Sequence, residues 1–63
     1  MIEYEYEVRF YLETASITTI VYVDRDYSNV AIAKAEVNLA YEGIDTDKLT
    51  ITEVIATKTG ELH

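Results

Sequence analysis

The chain has no cysteine, no proline and no tryptophan. It has two glycines and a single histidine, His63, at its C-terminal end. Without cysteine there is no disulfide, and no Cys/His zinc site of the kind that staples many small domains. A chain of 63 residues must then draw its stability from a well-packed core or from association. The absence of proline agrees with a chain built mostly of regular elements. Gly43 and Gly60 are too far apart to form a phosphate-binding loop. No nucleophile has a base in view, because Ser16 and Ser28 fall at a turn and at a helix start. There is no apolar run near 18 residues to span a membrane. Met1 leads directly into alternating strand sequence, without a signal-peptide pattern. The expectation is a single cytoplasmic domain that is not an enzyme and uses no cofactor or metal.

The charge is one-sided, with 12 acids against 5 bases and a net charge of −7. Nucleic acid and anionic membranes are disfavoured as partners, and a basic protein is favoured. Apolar residues make up 49% of the chain, too many for a disordered tail.

Ile2 to Leu12 alternates almost without fault. Ile2, Tyr4, Tyr6, Val8, Phe10 and Leu12 form one row; Glu3, Glu5, Glu7, Arg9 and Tyr11 form the other. Period 2 over this length predicts a strand across residues 2–12 with one buried and one wet face. After the polar turn ETAS, the β-branched run ITTIVYV predicts a second strand over 17–23, paired as a hairpin. Its inner row is expected to be Ile17, Thr19, Val21 and Val23, leaving Ile20 and Tyr22 outside.

The run SNVAIAKAEVNLAY predicts the one helix, over 28–42. It is rich in alanine and free of glycine and proline. Asp26 or Ser28 is the expected N-cap, and with Ser28 in that role Tyr27 and Ile32 would form a hydrophobic staple. Gly43 is the expected left-handed residue after the helix, with Ile44 folding back on Leu39 in a Schellman motif. A third strand is predicted over 49–58, with a bulge near Glu53 to reconcile its two apolar rows, and a frayed TGELH tail. The right-handed crossover rule then places the third strand beside the first. The predicted fold is α+β, ββαβ, a three-stranded antiparallel sheet in the order 2-1-3 with one helix on one face.

At about 100° per residue the helix carries two apolar arcs. Ala31, Ile32, Ala35 and Leu39 lie on the side to which both caps return, so they are assigned to the sheet. Val30, Ala33, Val37, Ala40 and Tyr41 are left outside. This surplus is either tolerated exposure of small side chains or a candidate protein-interaction surface, flat enough for a homodimer contact across a two-fold axis.

The row Glu3, Glu5 and Glu7 is the second candidate. On a strand these carboxylates stand about 6.7 Å apart, close to the spacing of phosphates along a nucleic-acid strand. The row reads either as a charged outer face that discourages aggregation or as a nucleic-acid mimic aimed at a nucleic-acid-binding protein. Asp24/Asp26 and Asp45/Asp47 could in principle hold a hard cation. They flank opposite ends of the helix, roughly 20 Å apart by helical rise, and caps and turns explain them better. Tyr4, Tyr6 and Phe10 could stack bases, but they share the buried row and the glutamates would repel phosphate.

With the run DYSNVAIAKAEVNLAYEG leading from strand to helix, this small acidic ββαβ chain resembles uncharacterised small proteins of tailed bacteriophages, including those of marine cyanobacteria. The resemblance covers the whole chain as texture and transfers no functional residue. It implies an accessory or host-takeover role in the host cytoplasm, exercised by binding a host protein. A plain structural or assembly subunit is the remaining alternative.

Overall fold

A computed structural model describes residues 2–62; Met1 and His63 lie outside the described residues. The elements follow the order β1 (Glu3–Tyr11), β2 (Ser16–Val23), α1 (Ser28–Tyr41), a short 3-10 turn (Thr46–Lys48) and β3 (Glu53–Leu62). The protein is an α+β fold: three antiparallel strands in the order β2-β1-β3, with α1 packed on one face and the other face open.

The alternating sequence of β1 explains its central position. Tyr6, Val8 and Phe10 are buried under the helix, with Val21 and Val23 of β2 beside them. Tyr4, Ile17, Val54 and Ala56 pack around this core. The expected inner row of β2 is the observed one, and Ile20 and Tyr22 stand exposed on the open face. From α1 the core receives Ala31, Ala35 and Leu39. Two of these three contacts are alanines, so the helix backbone can ride close to the strands.

The helix C-terminus has the geometry its sequence implies. Gly43 adopts φ 87°, a conformation costly for any residue with a Cβ. The Ile44 N–H donates to the Leu39 carbonyl at 2.9 Å, and the Gly43 N–H donates to the Ala40 carbonyl at 3.0 Å. These are the paired bonds of a Schellman motif. The N-terminus departs from expectation. The residue in the capping position is Tyr27, without a side-chain cap bond. Tyr27 is also 62% exposed, so the expected staple with Ile32 gives it little cover.

Asp26 is not a cap because two other groups claim it. It accepts the Tyr6 hydroxyl and, at 2.9 Å, the Lys58 ammonium. Lys58 also reaches Glu61 at 3.4 Å and lies 5.6 Å from the centre of the Tyr4 ring, within cation–π range. The cluster ties the β2–α1 loop to β1 and β3. The Tyr6 hydroxyl bond, followed by that from Lys58, holds the Asp26 carboxyl below its ordinary pKa. The same contact with Asp26 raises the Tyr6 hydroxyl and the Lys58 ammonium above theirs. By linkage, the Asp26 contribution is complete above the ordinary carboxylate range and is lost as pH falls through the lowered pKa. The Tyr6 and Lys58 contributions are complete below their ordinary pKa values and are lost as pH rises through the raised ones. The difference in thermal midpoint between wild type and Asp26→Asn is therefore expected to plateau near neutrality and shrink in both acid and alkali. Parallel curves for the two proteins would show that the cluster does not contribute.

The third strand corrects the sequence reading. It runs from Glu53 to Leu62, not over 49–58, and TGEL of the expected frayed tail TGELH forms its last four residues, His63 lying outside the described residues. Leu49 to Thr52 belongs to the connection, where Thr52 donates its N–H to the Tyr11 carbonyl at 2.8 Å. Ile51 nevertheless packs against the core. No bulge is needed at Glu53, because Val54 and Ala56 face the helix while Ile55 is exposed. The irregularity lies at the other end. Glu5 pairs with Gly60 and Tyr6 with Lys58, leaving Thr59 as the extra residue.

Candidate protein-interaction surfaces

The outer helix stripe is formed, with one correction. Ala33, Val37, Ala40 and Tyr41 are exposed, Val37 by 53% and Tyr41 by 88%. Val30, assigned outside by periodicity, is half-buried and packs against the core. It lies in the first turn of α1. Tyr41, Val37 and Ala40 line one shallow depression. A second shallow depression adjoins it, lined by Val37, Ala40, Glu36, Asp45, Thr46 and Asp47. The stripe therefore has an acidic border where it meets this second depression, provided by Glu36 of the helix together with Asp45 and Asp47 at the 3-10 turn. Sequence periodicity could not place Asp45 and Asp47 there, because that depends on how the chain returns after Gly43. Asp45 also has a local task, accepting the Asp47 N–H at 3.0 Å.

The glutamate row runs down the middle of the open sheet face. Its neighbours alter its character. The Tyr22 hydroxyl donates to Glu5 at 2.9 Å, and the Thr59 hydroxyl donates to its other oxygen at 2.8 Å. Glu7 pairs with Arg9 at 3.2 Å, and Arg9 donates through Nε to the Thr18 hydroxyl at 3.1 Å. The Tyr22 hydroxyl is raised above its ordinary pKa by the Glu5 bond. Two of the three carboxylates are thus engaged within the sheet, and a guanidinium stands next in line. Exposed Ile20 and Ile55 share this face.

Tyr6 and Phe10 are core residues, and Tyr4 packs partly against the same core, so none offers a base-stacking platform. Among the described residues no group of three or more His, Asp or Glu side chains converges as a metal site, and no helix is long and apolar enough to cross a membrane. The chain matches no family model, and no curated protein or solved structure matches it significantly.

Proposed function

We propose that the protein is a small non-enzymatic interaction module that docks on a basic protein surface through the outer stripe of α1. One observation carries the reading: Val37 and Tyr41 stand exposed beside Ala33 and Ala40, with Glu36, Asp45 and Asp47 along the border. An apolar strip with a tyrosine anchor is the composition of an interface centre, and charge at the rim steers the choice of partner. A second copy docked on the same stripe would bring acidic borders towards each other, which favours a basic partner over a helix-to-helix homodimer. On the resemblance to tailed-phage proteins, that partner is a host protein and the role an accessory one.

The nucleic-acid-mimic reading is weaker. Glu5 and Glu7 already have partners within the sheet, so the row is not a free run of charges. An assembly subunit would use the same stripe against a neighbouring component.

The test is affinity capture from a host lysate, with the captured protein then made separately and titrated. Val37→Glu and Tyr41→Ala are each expected to weaken that binding at least about tenfold, the size of a modest hot spot. Glu3/Glu5/Glu7→Gln is expected to leave it within about threefold, as for residues outside the interface. Unchanged affinity in both helix variants would sink the proposal. Loss in the triple variant alone would favour the mimic.

A further inference from the structure

β2 is an edge strand, and the backbone groups it turns outward can be identified. The Leu12 N–H donates to the Ala15 carbonyl at 2.8 Å, which makes these residues a hydrogen-bonded pair at the closed end of the hairpin. Bonded and non-bonded pairs alternate along an antiparallel ladder. Phe10–Ile17, Val8–Thr19, Tyr6–Val21 and Tyr4–Val23 are then the bonded pairs. Ser16, Thr18, Ile20 and Tyr22 direct their N–H and C=O groups away from β1. A separate contact agrees: from α1, the Lys34 ammonium donates to the Tyr22 carbonyl. No strand lies beyond β2 among the described residues.

The two edges of the sheet differ. β3 carries Glu53, Lys58 and Glu61 and the register shift at Thr59. Charges and bulges are devices that discourage edge pairing. β2 has neither, and residues 14–23 form the longest uncharged run in the chain.

We propose that the free edge of β2 pairs antiparallel with β2 of a second copy, about a two-fold axis at Thr18. The open backbone groups call for an extended strand, and an antiparallel edge is complementary to itself. In a chain of net charge −7, this neutral run is where two copies meet without opposing acids in the paired strands. Lys34 sets the register. It occupies the Tyr22 carbonyl, so the pairing stretch ends at Ile20. A two-fold at Thr18 engages all three remaining open residues, Thr18 with its mate and Ser16 with Ile20 of the second copy. A two-fold at Thr19 would pair Thr18 with Ile20 but would set Ser16 against the occupied Tyr22. The product is one six-stranded sheet with both helices on the same face. If the helix stripe docks a partner as proposed above, the dimer presents that stripe twice on one side, which raises avidity for a repeated target.

Sedimentation or light scattering of the full chain at rising concentration is the test. The expected mass at high micromolar concentration is twice 7.2 kDa. Thr18→Glu is expected to raise the dissociation constant at least about tenfold, because like charges would face each other at the two-fold. Its circular dichroism should stay unchanged, since Thr18 is exposed opposite Arg9, whose guanidinium can donate to the new carboxylate. Thr18→Cys should form an oxidised dimer: a bonded pair has Cα atoms about 5.5 Å apart, within disulfide range. Thr57→Cys, on β3, should not. The Thr18→Cys result stands by itself if Thr18→Glu fails to fold. A strictly monomeric chain overturns the proposal, as does a dimer that survives Thr18→Glu or dissociates with Val37→Glu instead. Only dissociation by Val37→Glu would also bear on the helix stripe; the other results leave capture by that stripe, read out separately, untouched.

Discussion

Phe10→Ala is expected to leave the protein largely unfolded. Phe10 is 1% exposed at the centre of the core, on the strand that pairs with both others. Truncating a buried phenylalanine costs about 3–5 kcal/mol, combining lost transfer energy with the cavity left behind. A domain of 63 residues has roughly 3–9 kcal/mol of stability in total at typical values per residue. The cost is thus comparable to the whole. With no cysteine in the chain, no disulfide is available to offset it. Far-UV circular dichroism and amide dispersion in a proton NMR spectrum would both report the loss. Ile55→Ala, on the open face of β3, is expected to cost less than about 1 kcal/mol. If Phe10→Ala kept a wild-type urea midpoint, the helix-covered face would not be the core.

Leu39→Ala has the second-largest expected effect, about 2–5 kcal/mol. Leu39 is 2% exposed, and its carbonyl accepts the Ile44 N–H that closes the helix. The side chain is also the apolar partner expected for Ile44 in a Schellman motif, and Ile44 packs against the same core. Its loss should therefore loosen both the helix packing and the exit of the chain towards β3. Val37→Ala, two residues earlier on the exposed stripe, is expected to change stability by no more than about 0.5 kcal/mol. Urea titrations of the two variants distinguish the arcs directly. Equal destabilisation would mean that both arcs are packed.

Local patterns carried most of the fold. Strict alternation in β1 made its buried row readable, and Gly43 with Ile44 and Leu39 identified the helix end and its inner arc. The sheet order followed from connection handedness. Errors arose where a non-local competitor decided the outcome. Asp26 looked like a cap, but Tyr6 and Lys58, twenty and thirty-two residues away in sequence, take its oxygens. Leu49-Thr50-Ile51-Thr52 has strand composition, but the lower half of β1 needs a partner, and TGEL supplies it. The ladder continues past the irregularity at Thr59, with Gly60 opposite Glu5, a pairing visible only once β3 is placed beside β1. Of the outer helix stripe, four of five residues are legible from periodicity; Val30 is not, because it packs against the core. The engagement of Glu5 and Glu7 was equally hidden, since it needs the cross-strand neighbours Tyr22 and Thr59.

Glu3 lies opposite Leu62, so β1 takes its second neighbour from β3, at the far end of the fold in sequence. The β1–β2 hairpin is local and can close within microseconds. The β1–β3 ladder joins residues about fifty positions apart and must await the closure of that long loop. Until β3 docks, the hairpin is a two-stranded ribbon with both edges bare. Such ribbons are marginal in water. The native sheet is therefore complete only once residues 53–62 reach β1, and that arrival, rather than formation of the helix, is its slow step.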